Sequence, residues 1–125
     1  NMSGGVGGEG GREMKLKVRE RDVQKAVLQF LALKRVWAWR NNVGATVIEN
    51  RENRGRRFIR FGSPGMPDVM AVLPSGKVFH IECKSGTGKQ SEAQLEWQQK
   101  AEDHGHYYLV IRDVSELFPF FGGLK

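Results

Sequence analysis

The stretch GMPDVMAVLPSGKVFHIECK, residues 65–84, decides the fold of this chain. Two apolar runs flank a Pro-Ser-Gly turn at 74–76, and this pattern predicts a β-hairpin. If those three residues form the loop, the register places Asp68 directly opposite Glu82. A loop one residue longer would break the alignment. The hairpin therefore predicts two facing carboxylates, on the condition that the loop has three residues.

The end of the second strand adds an amine to these carboxylates. Side chains alternate along a strand, so Glu82 and Lys84 share a face and Cys83 points the other way. Two neighbouring carboxylates repel each other unless a cation lies between them, and carboxylate oxygens suit Mg²⁺. A nearby lysine can hold water or stabilise developing negative charge, which suits metal-assisted hydrolysis of a phosphodiester. The alternative is a solvated strand face with a weak ion pair, and the preceding Pro67-Asp68 favours the chemical interpretation.

Composition limits the classes of protein that this chain can belong to. Its 125 residues suffice for one domain with a modest core, and the net charge of +6 favours nucleic acid as a partner. The single cysteine excludes an internal disulfide. No apolar run reaches the roughly 20 residues of a membrane helix and no signal peptide is visible, so we expect a cytoplasmic protein. Residues 1–13 are expected to be a disordered glycine-rich arm or a remnant of cloning, and 14–125 a single domain.

A helix is expected at about 17–34, because apolar residues recur at three- and four-residue spacing. This stripe consists of Val23, Val27, Phe30 and Leu31. Glu20 falls on the same stripe near the helix start, where it could complement the helix dipole or reach the carboxylates of the sheet. Together with Asp68 and Glu82, it is assigned to the site.

The remaining elements are local predictions. A short strand at 37–40 is expected to enter the core, and a second helix to begin at the capping box formed by Ser91 and Gln94. A strand at 107–111 follows and completes a βαβ-like unit, before a short final helix. His80 would share the face of Glu82, where a ligand role is conceivable, although such histidines are more often packed and hydrogen-bonded. The histidine spacing resembles no zinc site.

Polar segments provide candidate contacts to nucleic acid. The residues from Arg40 to Gly44 could form a turn or contact phosphates, and the arginine-rich segment 49–57 could be a solvated loop or could follow a phosphate backbone. The candidates are Arg40, Asn41, Asn42, Arg54, Arg56, Arg57, Ser63 and Lys89.

The ordered set of Glu20, Pro67-Asp68, Glu82-Cys83-Lys84 and Gln94 resembles the virus-type replication-repair nuclease (VRR-NUC) domain of the PD-(D/E)XK nuclease superfamily, in its small stand-alone phage or bacterial form. The resemblance covers about Arg19 to Asp113. It implies an α/β fold with a restriction-endonuclease-like mixed β-sheet flanked by helices, built on an αβββαβ core. One departure is that Glu92-Ala93 replaces the Pro-Glu commonly found before the glutamine, which affects helix initiation more than chemistry.

The resemblance also implies roles for these residues. Glu20, Asp68, Glu82 and the main-chain carbonyl of Cys83 would hold Mg²⁺ or Mn²⁺. Lys84 would position the attacking water, and Gln94 would support the site from its helix. The implied activity is a structure-selective DNA endonuclease that acts on branched DNA such as Holliday junctions, as a homodimer. The alternatives are a flap, nicking or restriction-like nuclease, and a DNA-binding module whose site is silent.

Overall fold

The computed structural model describes residues 18–42, 44–50 and 55–123. The predicted arm at 1–13 lies outside these residues. The strands are β1 (Trp37–Arg40), β2 (Gly44–Asn50), β3 (Gly55–Phe61), β4 (Val69–Val72), β5 (Val78–Cys83) and β6 (Tyr107–Ile111). The helices are α1 (Glu20–Leu33), α2 (Glu92–Asp103) and α3 (Phe118–Phe121), and a 3₁₀ helix (Val114–Leu117) precedes α3.

A four-stranded mixed sheet, in the order β1-β4-β5-β6, organises the described part of the chain. β4 is antiparallel to both β1 and β5, whereas β6 runs parallel to β5 and follows it through α2. β2 and β3, which follow β1 and precede β4 in the chain, pair with each other in a separate antiparallel hairpin. The elements of the main sheet, α1-β1-β4-β5-α2-β6, form the predicted αβββαβ core. The fold class is therefore confirmed and is compatible with a restriction-endonuclease-like fold.

The hairpin of β4 and β5 has the predicted register. Val72 pairs with Val78, and the Leu73 amide donates to the Lys77 carbonyl at 2.9 Å, so the loop has three residues. The same register, extended by one position beyond Val69 and Ile81, places Asp68 opposite Glu82. The length of the loop thus fixes the alignment of Asp68 with Glu82, because it sets the register of every residue pair between β4 and β5.

One face of the sheet packs against α1 and forms the core. The predicted helix stripe is confirmed, since the buried residues of α1 are Val23, Val27, Phe30 and Leu31. They meet the apolar face of the sheet, which comprises Val69, Ala71, Phe79, Ile81, Cys83 and Ile111. Aromatic rings of the final helices close the cluster, with Phe30 and Phe118 centroids 5.5 Å apart.

The prediction that 37–40 forms a strand is confirmed, but its expected position in the core is wrong. β1 is an edge strand, and Trp37 and Trp39 are 69% and 39% exposed. Ala38, between them, packs against the core. Alternation therefore turns both indoles to the other face of the sheet. The reason for the error is that alternation indicates a strand but does not say where in the sheet the strand lies.

α2 lies over that other face, along β6 and the end of β5. Its N-terminus has the predicted capping box, in which the Ser91 hydroxyl accepts from the Gln94 amide. Gly105 follows the helix with φ +78°, a left-handed conformation typical of a helix end. Within the described ranges, no helix is long and apolar enough to cross a bilayer.

Candidate active site

Asp68 is held at the start of β4 by hydrogen bonds from the two neighbouring segments that contain Asn41 and Cys83. The side-chain amide of Asn41 donates to the Pro67 carbonyl at 2.9 Å, and the Asn41 main-chain amide donates to the Asp68 carbonyl at 2.8 Å. The carboxylate itself accepts from the Cys83 main-chain amide at 2.9 Å. Pro67 is buried, and its ring restricts the backbone just before the carboxylate. The position of Asp68 therefore depends on both adjacent strands.

Glu82 and Lys84 lie buried side by side, as the alternation predicts. Only 3% of Glu82 and 8% of Lys84 is exposed, and Lys84 Nζ is 3.8 Å from Glu82 Oε2. Gln94 donates from Nε2 to the same Glu82 oxygen at 2.9 Å, while its Oε1 accepts from the Ser91 main-chain amide. The helix cap and the contact with the site therefore coexist in one side chain.

The pKa values of Glu82, which is buried, and Asp68, which is partly buried, shift in the direction expected for like charges removed from water. Burial raises the pKa of Glu82 to about 8, and the neighbouring Asp68 adds to the shift while Lys84 opposes it. Burial also raises the pKa of Asp68, although the hydrogen bond from the Cys83 amide acts in the opposite sense. Burial, followed by the charge of Glu82, raises the pKa of Tyr108 to about 12. This corner of the sheet is therefore strongly unfavourable to further negative charge.

The donor chemistry of the pair fits a hard divalent cation. Glu82 Oε1 is buried and has no hydrogen-bond partner among the described residues, since Lys84 and Gln94 both face Oε2. Mg²⁺ is commonly bound by one or two carboxylates together with waters and substrate phosphates. In the described part of the chain, no three side chains of His, Cys, Asp and Glu form a group that could hold a metal. Side-chain ligation would therefore rest on Asp68 and Glu82.

Glu20 differs from the sequence interpretation. It is the first residue of α1 and is exposed, rather than being part of the inward stripe. Its charge still contributes to the raised pKa values of Asp68 and Glu82, so the carboxylate lies within electrostatic range of the pair. The helical spacing is correct, but the packing that buries this stripe begins at Val23 and leaves the first residue of α1 exposed. Glu20 therefore lies at the rim of the site.

His80 is a packed histidine, as the structural alternative proposed. Its Nδ1 accepts from the Trp97 indole at 2.9 Å, and its Nε2 is 2.9 Å from His106 Nδ1. Burial and His106 lower the pKa of His80 to about 4. His104 caps α2 and contacts the Lys100 carbonyl. The bond from Trp97 to His80 attaches α2 to β5 two residues before Glu82.

The candidate nucleic-acid contacts are distributed unevenly. Arg40, Asn42, Ser63 and Lys89 are exposed, whereas Asn41 is partly buried and holds the Pro67 segment. Arg54 lies outside the described residues, as do the side chains of Arg56 and Arg57. Asn41 thus has a structural contact that the sequence analysis did not anticipate, because its partner is 26 residues away.

A basic groove was missed by the sequence analysis. A cleft of about 650 Å³ runs between α1 and the end of β1, and its cationic side chains are those of Arg19, Arg21, Lys25 and Arg40. Asp22 lies in the same groove, with its carboxylate 3.6 Å from Arg19 Nε. The i, i+4 spacing of Arg21 and Lys25 was a usable signal, because it places both on one side of the helix. The contribution of Arg40 comes from tertiary packing.

The mixed sheet, flanked by helices and carrying Asp68, Glu82 and Lys84 at one corner, defines an α/β protein that is compatible with a restriction-endonuclease-like fold. No protein-family model matches the chain. The protein named "Putative nuclease p44", from Acyrthosiphon pisum secondary endosymbiont phage 1, is 32% identical to it over 65 residues, which are 50% of this chain and 70% of the phage protein. The chain belongs to the family of this phage protein. The narrower assignment to the VRR-NUC domain stays a prediction.

Proposed function

We propose that this protein is a metal-dependent nuclease that hydrolyses phosphodiester bonds in DNA. The observation that carries the proposal is the partly buried Asp68 opposite the buried Glu82 and Lys84, in which one oxygen of Glu82 lacks a partner among the described residues. A buried carboxylate beside a second acid is costly to a fold, and such groups are concentrated at functional sites. The name of the phage relative and the net charge of +6 support a nucleic-acid substrate.

Each residue of the corner has a role in this proposal. Asp68 and Glu82 would hold Mg²⁺ or Mn²⁺ together with the Cys83 carbonyl, and Glu20 would act at the rim. A bound divalent cation lowers the pKa of water and stabilises charge on a phosphoryl oxygen. The Lys84 ammonium would orient the attacking water and stabilise negative charge as it develops. Gln94 fixes the orientation of Glu82 through its hydrogen bond.

The choice of DNA structure and the number of subunits are further parts of the proposal. We expect preference for branched DNA such as a Holliday junction, and a twofold dimer would place two cuts symmetrically. A panel of junction, flap, bubble and linear DNA, with light scattering for molecular mass, tests both points. Equal cleavage of all four substrates by a monomer would contradict this part of the proposal and leave the nuclease activity itself standing.

The activity is tested by cleavage assays in Mg²⁺, Mn²⁺ or EDTA. We expect cleavage with either metal, none with EDTA, and at least a hundred-fold loss in Lys84→Ala, as is usual when a group that stabilises charge is removed. Lys77→Ala is the matched control, because Lys77 is exposed at the opposite end of the hairpin. Metal-dependent cleavage that is unchanged in Lys84→Ala, or DNA binding without cleavage, would refute the proposed mechanism.

Metal binding has a readout independent of cleavage. Mg²⁺ or Mn²⁺ should raise the melting temperature of the wild-type protein, because a ligand that binds the folded state stabilises it. The shift should disappear in Asp68→Asn and Glu82→Gln, which keep the shape of the side chains and remove the charge. Equal shifts in wild type and both variants would place the ion elsewhere.

A further inference from the structure

An exposed pair of indoles lies on the same face of the sheet as the acid pair. Trp37 and Trp39 are 69% and 39% exposed, and their ring centroids are 5.5 Å apart. Their neighbour Ala38 pairs with the buried Ala71, so the indoles occupy the face opposite to the α1 core. Glu82 and Lys84 lie on that opposite face too. The Trp37–Trp39 pair therefore lies on the same face of the sheet as the proposed active site.

The strand register gives the distance between the indoles and the site. Trp39 pairs with Met70, which pairs with His80, whereas Asn41 continues the ladder to Asp68. Trp39 and Asn41 are two residues apart on one strand, which corresponds to about 7 Å. Trp39, the nearer indole, is therefore displaced by two residues along the strand from the position that aligns with Asp68 and Glu82.

The surroundings favour an anionic, aromatic occupant. Arg40 follows Trp39 and lines the basic groove with Arg19, Arg21 and Lys25. Alternation turns Arg40 to the α1 side of β1 and the indoles to the other side, so the cations and the apolar rings flank one exposed strand edge. A nucleic-acid strand, in which bases and phosphates alternate, matches both along such an edge. Paired bases are stacked inside a duplex and offer no face to an indole, whereas unpaired bases do.

We propose that Trp37 and Trp39 form a stacking platform for unpaired bases next to the phosphate that is cleaved. The platform rests on the nucleic-acid substrate proposed above and narrows it, since bases next to the cut must be unpaired, as they become where the arms of a junction open. DNA junctions with open arms, flaps and frayed ends satisfy this condition. Fully paired linear DNA does not.

The test measures binding rather than cleavage. The Lys84→Ala protein in EDTA is titrated into a labelled single-stranded oligonucleotide. Its length is roughly 16 nucleotides, the upper end of the site sizes of single-strand-binding OB folds. Adding Trp37→Ala or Trp39→Ala should weaken its affinity by about ten-fold, as loss of one stacked base does. Trp37→Phe and Trp39→Phe keep an aromatic face and should retain most of the affinity, which also guards against loss of folding in the alanine variants.

Three controls separate stacking from other effects. Leu95→Ala removes an apolar side chain that is 52% exposed on α2 and should change nothing. The affinity for duplex DNA, and for a strand with abasic sites, should be nearly insensitive to the tryptophan substitutions. Equal losses for normal and abasic strands would assign the effect to the phosphates and overturn the platform.

Two further outcomes would overturn the proposal. One is single-strand affinity within two-fold of the parent in both alanine variants. The other is a parent dimer that becomes monomeric in Trp37→Ala, which would make the pair an interface between copies of this chain. In either case the nuclease activity is decided separately, by wild-type cleavage in Mg²⁺. Failure of the platform and failure of the proposed function are therefore distinguishable.

Discussion

Gln94 uses both ends of its side-chain amide, one for the start of α2 and the other for Glu82. The spacing from Ser91 predicts the first bond, because a capping box is a local pattern. The second bond joins segments that meet only in the folded chain, and the sequence could suggest it only through a family resemblance. A residue with a sufficient structural explanation can therefore still orient a chemical group.

Glu82→Gln should make the protein more stable at high pH in EDTA. The pKa of Glu82 is raised from 4.5 to about 8, so its favourable protonated form is present at low pH and is lost as the pH rises through 8. Glutamine stays neutral and can still accept from Gln94. The stability difference should be small near pH 4.5, increase towards pH 8 and reach on the order of 3 kcal/mol at pH 9.

Thermal or urea denaturation at pH 5, 7 and 9 measures this difference. Glu96→Gln is the matched control, because Glu96 is exposed on α2 and its neutralisation removes no buried charge. If the stabilities of wild type and Glu82→Gln change in parallel over this pH range, the pKa of Glu82 is not raised in the folded protein.

Asn41→Ala should lower both stability and cleavage. The substitution removes the hydrogen bond to the Pro67 carbonyl, which costs about 1 kcal/mol, and it loosens the segment that positions Asp68. The exposed neighbour Asn42 provides the comparison, and Asn42→Ala should change stability by less than about 0.5 kcal/mol. Denaturation and cleavage rates should separate the two variants. If both affect only DNA binding, and to the same degree, Asn41 is a phosphate contact.

At the scale of elements, the sequence predicts the features that neighbouring residues determine and misses those that depend on contacts between distant segments. The register of β4 and β5 follows from three turn residues, and the start of α2 follows from its capping residues. The edge position of β1 was not predictable, because the order of strands in a sheet depends on long-range pairing. The exposure of Glu20 had the same cause, since only the position of α1 on the sheet shows where the helix stripe stops being covered.

Gly65→Ala should disturb the packing of the loop before Asp68 against α2. A Cβ at this position would lie 2.2 Å from the Ala93 carbonyl oxygen, and φ is +81°. We expect a loss of at least about 2 kcal/mol of unfolding free energy, together with reduced cleavage. Gly76→Ala separates the two causes, because φ there is +94° and an added Cβ would meet no atom within 4 Å among the described residues beyond its chain neighbours, so the variant should lose about 1 kcal/mol. Equal losses in denaturation experiments would mean that contact with α2 is unimportant.

At the scale of the whole molecule, the distribution of charge matters more than its sum. The net charge of +6 is visible in the sequence, whereas the basic groove requires α1 and β1 to be side by side. The acid pair likewise combines residues from two strands. Composition could therefore predict the class of partner, and the fold was needed to show which surface would receive it.

DNA affinity should fall steeply with salt concentration, because bound cations displace counterions from the phosphates. Arg21→Gln and Arg40→Gln should each weaken binding for all sequences and reduce the slope of log affinity against log salt by about 1. Lys77→Gln, at the far end of the hairpin, should leave the slope unchanged. Fluorescence anisotropy at several salt concentrations measures these slopes, and an unchanged slope in both arginine variants would exclude the groove from the DNA path.

Cys83 is the single cysteine of the chain, and it is fully buried at the end of β5, between Glu82 and Lys84 in the sequence. Burial raises the pKa of its thiol, so the reactive thiolate is suppressed while the sheet stays closed. An alkylating reagent should consequently modify the protein only at the rate at which β5 separates from its neighbours. The chain therefore carries a natural reporter of sheet opening, and labelling kinetics with and without Mg²⁺ would show directly whether an ion keeps that strand in place.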